Sequence, residues 1–317
     1  MWIFHGSRFK FLQMRRKAYV VSSLVILAGV AAMVYNVFSI GTWQNYGVDF
    51  TGGTLVQVRF EGEITAAQVR EALGGAQAPP ITRFGEENEF VIRAPQVEGA
   101  GVEVVTAEIE GALTDADLGA FNVVRTEFVG PTIGEELQQQ AALAILFSFV
   151  LTLIYLAIRF ESRFGFAAII ATVHDIIVTL GFLAAFQVEI ALPTVAAILT
   201  IVGYSLNDTI VVFDRIRENL NKKGGRRADP VELINRSINE TLPRTVMTSF
   251  TTLAVLTALL VLGGAVIRDF TIVLILGVVV GTYSSIFVAS PALLEIRERF
   301  GEGGEKKKER TPKAVPV

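Results

Sequence analysis

Cysteine is absent from the sequence, and histidine occurs only twice, at His5 and His174. No disulfide staples the chain, and the cysteine and histidine ligands of a zinc site cannot be assembled. Charged residues are also scarce, at 19% of 317 residues, whereas 51% are hydrophobic. The mean hydropathy is +0.50. This composition excludes an ordinary soluble domain and predicts a membrane protein without a metal centre.

Six apolar runs account for the high hydropathy. They cover residues 19–38, 139–158, 164–186, 191–213, 246–264 and 270–294. An α-helix needs ~20 residues to cross about 30 Å of hydrocarbon, so we predict six membrane helices. Basic residues precede the first run, as in a signal peptide. That run is longer than the roughly 7–15 apolar residues of such a segment, and we therefore expect a retained helix.

Lysine and arginine predict the orientation of these helices. They concentrate in segments 1–18, 159–163, 214–244 and 295–317. Cytoplasmic segments are enriched in these residues, so we expect all four, and both termini, on the cytoplasmic side. Segment 41–134 then lies on the opposite side. The net charge of −3 gives no support for nucleic-acid binding, and the basic C-terminal tail suits topology and anionic membrane lipid instead.

Segment 41–134 is long enough for a small domain. Its periodicity predicts strands at 53–60, 90–93 and 121–129 and helices at 64–73 and 102–113. This order predicts an inserted α+β domain of ferredoxin-like fold, with a further strand within 79–84. The alternative is a two-layer spacer that carries no site.

Glycines flank a short acidic segment, Gly47-Val-Asp-Phe-Thr-Gly-Gly53, directly after the first membrane helix. Gly47, Gly52 and Gly53 permit positive φ or close backbone approach, and Asp49 can hydrogen-bond nearby backbone groups. A phosphate-binding loop fits less well, because the spacing matches neither common glycine-rich motif and no lysine follows. We interpret the segment as a rigid joint between the first helix and the extracytoplasmic domain.

Asp208 is the one acidic residue in the fourth apolar run. A charged residue at this depth costs on the order of 2.5–3.5 kcal/mol to insert, and it usually faces the protein interior. Thr200 and Tyr204 precede Asp208 at helical spacing, and Asn207 lies beside it. We therefore predict a functional polar face on this helix.

The fifth helix carries polar residues of its own. Arg244 stands at its predicted start, and Thr248 and Thr252 follow at helical spacing. Sequential membrane helices run antiparallel, so we expect Arg244 to lie close to Asp208 and to neutralise it. The pair could form a proton relay in which Asp208 alternates between charged and neutral forms, or a static salt bridge that stabilises helix packing.

A second ionisable pair, His174 and Asp175, lies near the middle of the third apolar run. It is a further candidate for proton relay. In the last run, the spacing Gly277-x-x-x-Gly281 and the pair Ser284-Ser285 indicate close helix packing.

Three stretches together resemble a known family. They are Gly47 to Gly53, Gly203-Tyr-Ser-Leu-Asn-Asp-Thr-Ile-Val-Val-Phe-Asp-Arg-Ile-Arg-Glu-Asn219 and Leu242-Pro-Arg-Thr-Val-Met-Thr-Ser-Phe-Thr-Thr-Leu253. In this order and topology they are similar to the SecF family, one half of bacterial SecDF in the resistance-nodulation-division superfamily of proton-driven membrane proteins. The family's intramembrane acid falls on Asp208 and its partnering arginine on Arg244.

The resemblance implies an accessory subunit, rather than an enzyme, that uses the proton motive force to help the Sec translocase export preproteins across the bacterial inner membrane. Segment 41–134 would be periplasmic. Protons would be the coupling ion, with no cofactor. The implied partners are SecD, the SecYEG translocon, the translocating preprotein and membrane lipid. Two other functions stay open, namely a proton-coupled small-molecule antiporter and a passive assembly subunit of the translocon.

Overall fold

The computed structural model describes residues 7–83, 88–95, 101–159, 161–264 and 267–300. Within these ranges, six helical segments are long and apolar enough to cross a membrane. They are Leu12–Ser39, Thr132–Arg159, Ser162–Phe186, Leu192–Asn221, Pro230–Leu262 and Arg268–Arg299. The structure thus contains the six long apolar helices that the sequence predicts.

The helices are labelled in chain order, short ones included. They are α1 (Arg15–Ser39), α2 (Val48–Thr51), α3 (Ala66–Ala72), α4 (Val102–Asp115), α5 (Pro131–Arg159), α6 (Ser162–Phe186), α7 (Leu192–Asn221), α8 (Pro230–Leu262), α9 (Arg268–Ser284) and α10 (Ser290–Phe300). A π-helical segment, Ser285–Ala289, joins α9 to α10. These three pieces together form the last span.

A four-stranded antiparallel sheet is inserted between α1 and α5. Its strands are β1 (Gly53–Phe60), β2 (Ile81–Arg83), β3 (Glu89–Ala94) and β4 (Phe121–Val129), in the spatial order β2-β3-β1-β4. The further strand predicted within 79–84 is β2. Both α3 and α4 contribute to one core with the sheet, where Val69 and Ile109 pack among alternate residues of β1 and β3 such as Val58 and Phe90.

The helix α8 is much longer than the apolar run that predicts it. It begins at Pro230, capped by the Asp229 side chain, which accepts a hydrogen bond from the Glu232 N–H at 3.1 Å. It then continues through Pro243. Residues 230–245 are largely polar and leave no hydropathy signal, so the segment expected to be a cytoplasmic loop is mostly helical.

Two asparagines of α8 hold the N-terminal segment. Asn239 exchanges hydrogen bonds with the backbone of Phe9, accepting from its N–H at 2.9 Å and donating to its carbonyl at 2.8 Å. One turn earlier, Asn235 accepts from the Leu12 N–H at 3.0 Å. The predicted tail 1–18 is therefore docked from residue 7 and becomes the helix α1 at Arg15.

Other helix ends also differ from the predicted runs. The helix α5 begins at Pro131, ahead of the run predicted from residue 139. The helix α10 ends at Phe300, inside the predicted tail 295–317. The remainder of that tail and His5 lie outside the described residues.

Glycines allow the closest approaches between membrane helices. A Cβ atom built at Gly281 would lie 2.9 Å from Ser205 Cβ on α7, and Gly277 faces Ile201 of the same helix. The close packing predicted from this glycine spacing is confirmed. At the contact between α1 and α6, a Cβ at Gly29 would lie 2.7 Å from the Cα of Gly181. These contacts bring α1, α6, α7 and α9 together around one polar centre.

Candidate functional site

Asp208 lies on the buried side of α7, with 6% of its surface exposed. Its Oδ1 accepts a hydrogen bond from Thr245 Oγ1 on α8 at 2.8 Å, and its Oδ2 accepts one from Ser285 Oγ at 3.0 Å. The carboxylate is thus held by uncharged donors from two neighbouring spans.

Arg244 does not form the predicted ion pair with Asp208. Among the described residues, none of the ion pairs within 4.0 Å joins these two side chains. Arg244 is exposed, and Thr245 takes the position that faces Asp208. Successive residues of an α-helix with 3.6 residues per turn point about 100° apart, so a helix that turns Thr245 inward turns Arg244 away.

The polar face predicted around Asp208 has five members. They are Thr200, Tyr204, Asn207, Thr248 and Thr252. The three threonines donate to carbonyls of their own helices, at distances of 2.8 to 3.0 Å, and Asn207 is exposed. Tyr204 reaches α8, where its hydroxyl donates to Ser249 Oγ at 3.3 Å. Within the described chain, none of the five hydrogen-bonds Asp208.

His174 and Asp175 form a second buried acidic site on α6, exposed to 8% and 2% respectively. His174 Nδ1 lies 2.9 Å from Asp175 Oδ1. The other oxygen, Oδ2, accepts from Ser284 Oγ at 2.7 Å and also from Ser205 Oγ on α7. The structure therefore surrounds Asp175, like Asp208, with serine hydroxyls from neighbouring helices.

The far side of the His174 ring faces α1 and α9. Its Nε2 lies 3.1 Å from Ser22 Oγ, which in turn lies 3.2 Å from the hydroxyl of Tyr283. That hydroxyl donates to the carbonyl of Ala18 at 3.0 Å. A continuous set of hydrogen-bonded groups thus runs from Asp175 to the backbone of α1.

The sequence does not identify these hydroxyl partners. The missed residues are Ser22, Ser205, Thr245, Tyr283, Ser284 and Ser285. Serine and threonine in helices often bond a carbonyl one turn earlier, as Thr200 does, so their spacing does not identify a carboxylate partner. The adjacent pair Ser284-Ser285 within an apolar run is the feature of the sequence that points to this region, and it predicts close helix packing but no carboxylate partner.

The glycine-flanked joint contacts the turn between α6 and α7. The Gly47 N–H donates to the Ile190 carbonyl at 2.9 Å, and the Asp49 Oδ2 accepts from the Leu192 N–H at 2.9 Å. Leu192 is the first residue of α7, so Asp49 caps this helix from a distant part of the chain. Gly52 and Gly53 have φ values of +69° and +126°, a region that favours glycine.

An ion pair connects the sheet to the same turn. The Arg93 side chain of β3 donates through Nε to Glu189 Oε1 at 2.9 Å and through a second nitrogen to Oε2. Burial raises the pKa of Glu189, the Arg93 charge opposes that shift, and the nearby Asp269 and Asp49 add to it. The Glu189 carboxylate also fills the space that a side chain at position 47 would occupy. The sheet is thus connected to the start of α7 in two ways, through the contact of Arg93 with the turn before the helix and through the joint that leads into β1.

Six apolar helices long enough to cross a membrane, two carboxylates buried among those helices and an inserted sheet define, within the described residues, a multi-pass membrane protein with a buried acidic centre. The family model described as protein export membrane protein SecD/SecF, C-terminal, matches residues 108–299, and the SecD/SecF GG motif matches residues 45–63. The chain belongs to the SecF family of protein translocase subunits. The GG motif covers the joint that caps α7.

Curated relatives support the same assignment over most of their length. The protein translocase subunit SecF of Gemmatimonas aurantiaca is 47% identical over 94% of this chain and 90% of its own. The corresponding subunit of Vibrio alginolyticus is 43% identical, covering 90% and 89%, and that of Escherichia coli O157:H7 is 38% identical, covering 92% and 89%. The predicted function as an accessory subunit of the Sec translocase is thereby confirmed.

Solved structures give the same result at the level of fold. The crystal structure of SecDF, a translocon-associated membrane protein, from Thermus thermophilus matches with 40% identity and a TM-score of 0.81. A super-membrane-facing form of SecDF matches with 41% identity and a TM-score of 0.67. Each match covers 94% of this chain but 40% of the SecDF chain. The chain thus spans less than half of those proteins.

Proposed function

We propose that the chain is a subunit coupled to the proton motive force that acts with SecD to assist the export of preproteins. The observation that carries this proposal is the pair of buried carboxylates, Asp175 and Asp208, each held by hydroxyl groups of neighbouring helices. Residues of this kind inside membrane helices typically belong to ion or proton pathways.

Hydroxyl partners suit a group that gains and loses a proton. A serine or threonine hydroxyl donates to a carboxylate and accepts from a carboxylic acid, so both forms of Asp208 keep their hydrogen bonds. A guanidinium partner can only donate and would favour the charged form. Moving one charge through 100 mV is worth about 2.3 kcal/mol, enough to shift a two-state equilibrium appreciably.

The sheet is connected to the helix that carries Asp208. Asp49 caps the start of α7, and the Arg93–Glu189 pair ties β3 to the turn before it. We propose that a movement of α7 that accompanies protonation of Asp208 is transmitted to the sheet through these contacts. The coupling would turn a proton step inside the membrane into motion outside it.

The proposed setting is the bacterial inner membrane, with the sheet domain in the periplasm and both termini in the cytoplasm. The clustering of basic residues supports this orientation. The chain order of strand, helix, strand, strand, helix, strand and the sheet order β2-β3-β1-β4 support a ferredoxin-like domain. We further propose SecD as the direct partner, SecYEG and the preprotein as partners of the assembly, and no enzymatic activity for the chain.

Replacing Asp208 by Asn tests the proposal. Asparagine keeps the shape and can still hydrogen-bond, but it does not take up a proton. In vesicles that contain SecD and the translocon, we expect the variant to assemble normally and to lose the stimulation of export by a proton gradient. Thr200→Ala on the exposed side of α7 is the matched control and should behave like the parent.

The two rival functions predict other outcomes. A passive assembly subunit predicts that the Asp208→Asn protein assembles and supports gradient-driven export at the normal rate, which would overturn the proposal. An antiporter predicts proton flux that depends on an added small molecule and not on a translocating preprotein.

A further inference from the structure

Three of the four hydrogen-bonded contacts that run from Asp175 to Ala18 have a fixed direction. A carbonyl oxygen only accepts, so the contact with Ala18 uses the one hydroxyl proton of Tyr283. Tyr283 must then accept at its contact with Ser22, which uses the one hydroxyl proton of Ser22. With that proton committed, Ser22 Oγ can only accept from His174.

It follows that His174 carries a proton on Nε2. Its Nδ1 faces Asp175 Oδ1, and that contact needs one proton between the two atoms. The proton resides on Nδ1, giving an imidazolium and a carboxylate, or on Oδ1, giving a neutral ring and a carboxylic acid. Both arrangements contain the same number of protons, and in both the pair has no net charge.

We infer that His174 and Asp175 form a second proton-binding site, which in this conformation holds one proton more than a neutral imidazole beside a carboxylate, and that Ser22 and Tyr283 are the positioning residues that keep it there. This inference rests on the proposed proton-coupled function and adds two residues to it. When the pair loses its proton from Nε2, Ser22 must turn its hydroxyl from Tyr283 toward the ring. The contact between α1 and α9 would then lose one hydrogen bond.

The surroundings of the pair suit this role. On α7, Ser205 donates to Asp175. The acidic group of the same helix, Asp208, is connected to Asp175 through the adjacent residues Ser284 and Ser285, which donate to Asp175 and to Asp208 respectively. From α9, Tyr283 is the titratable group, and its ring stacks on His174 with centroids 6.3 Å apart.

The beginning of α1 carries a separate ionisable group. Tyr19 interacts there with Arg15 and with Glu295 of α10. The close contact at Gly29 and Gly181 places Ser22, two turns from Gly29 on the same helix face, within reach of His174.

Histidine NMR tests the inference directly, because the chain has only two histidines. The His5→Gln chain, labelled with ¹⁵N in its imidazole ring and reconstituted in lipid nanodiscs, would report His174 alone. We expect a proton on Nε2 at neutral pH, detected by its one-bond nitrogen–hydrogen coupling. An unprotonated Nε2 would mean that Ser22 donates to the ring, and it would overturn the inference.

Tyr283→Phe provides the second measurement. Without the tyrosine hydroxyl, Ser22 is free to donate to Nε2, so the ratio of protonated to unprotonated Nε2 should fall by about fivefold to tenfold, the weight of one hydrogen bond. Tyr35→Phe is the control, since Tyr35 is 69% exposed on α1. An unchanged ratio in the Tyr283→Phe chain would contradict the role of Ser22 and Tyr283.

These measurements do not depend on export activity. A normal proton-gradient response in the Asp208→Asn variant would refute the proposed function while leaving the protonation state of His174 as measured. Failure of the NMR prediction would remove the second site and leave the Asp208 experiment unaffected.

Discussion

Ser284 and Ser285 are consecutive residues, yet their hydroxyl groups hydrogen-bond two different buried carboxylates, Asp175 on α6 and Asp208 on α7. One peptide unit of the last span therefore lies between the two acidic groups. The pair stands where α9 gives way to a π-helical segment, and such segments are frequent at functional sites. A change in the hydrogen bonding of one carboxylate can therefore reach the other through the single peptide unit that joins the two serines.

A double-mutant cycle on these serines measures that connection. Ser284→Ala and Ser285→Ala each remove one donor from a buried carboxylate, so each should lower the free energy of unfolding by about 1–3 kcal/mol. Since both hydroxyls stand on one peptide unit, the double variant should depart from additivity by more than about 0.5 kcal/mol. Unfolding in mixed detergent micelles would give the four values. Strict additivity would show two independent sites.

Thr245 and Arg244 are adjacent on α8, and we expect them to differ sharply on substitution. Thr245→Val keeps the shape but removes a donor to Asp208, and it should cost about 1–3 kcal/mol of stability. Arg244→Gln, at an exposed position, should change stability by no more than about 0.5 kcal/mol. Thermal unfolding in detergent measures both. Equal destabilisation by the two variants would mean that Arg244 contacts Asp208 after all.

The Arg93–Glu189 pair gives a dependence on pH. Burial raises the pKa of Glu189 above its ordinary value of 4.5, so the folded chain binds this proton more tightly than the unfolded chain. The contribution of Glu189 to stability is therefore fully present below pH 4.5 and is lost as the pH rises through the raised pKa. In Arg93→Met the half-buried Glu189 carboxylate lacks its positive partner, and its pKa should rise further.

We expect Arg93→Met to lose about 1–3 kcal/mol near neutral pH, because the pair is half-buried and the Glu189 carboxylate keeps its partly desolvated position without a partner. Much of this loss should return on acidification as Glu189 takes up a proton. Melting temperatures across the acidic range would reveal the effect, and Glu189→Gln should abolish it. Arg125→Met, which breaks a half-exposed pair with Glu127 on β4, is the matched control and should cost less than about 1 kcal/mol.

Gly181→Ala tests the contact between α1 and α6. A Cβ there would lie 2.7 Å from the backbone of Gly29, and backbone cannot move aside as a side chain can. We expect destabilisation of about 1–3 kcal/mol, together with loss of the contact between Ser22 and His174. Gly203→Ala on α7 is the control, since nothing lies within 4 Å of its Cβ position and alanine favours the helix. Unfolding data for both variants decide the point, and equal stability would contradict the steric argument.

The membrane architecture could be predicted because hydropathy acts locally along the chain. Each span contains an apolar run, and an acidic residue inside such a run, as at Asp175 or Asp208, stands out by its cost. The strand β2 has three residues, so its position followed from the expected domain pattern rather than from its own periodicity.

The partners of the carboxylates could not be predicted in the same way. The sequence predicts Arg244 at the start of the fifth helix and beside Asp208. In the structure the helix begins at Pro230, and Thr245 takes the position that faces Asp208, so Arg244 points outward. The actual donors, such as Thr245 and Ser205, come from helix faces that are set by packing between spans. Nothing in their local spacing distinguishes them from Thr200, which bonds its own helix.

The hydrogen bond from Leu192 to Asp49 links any axial movement of α7 to the inserted sheet. Asp49 bonds the first N–H of α7, and Asp208 stands sixteen residues further on, about 24 Å along the helix axis. The short helix α2 that carries Asp49 leads directly into β1. If α7 slides along its axis, it must either break this cap or carry the sheet with it. A displacement of α7 at Asp208 would therefore be transmitted along the helix to its capped first turn, and from there through α2 to the sheet.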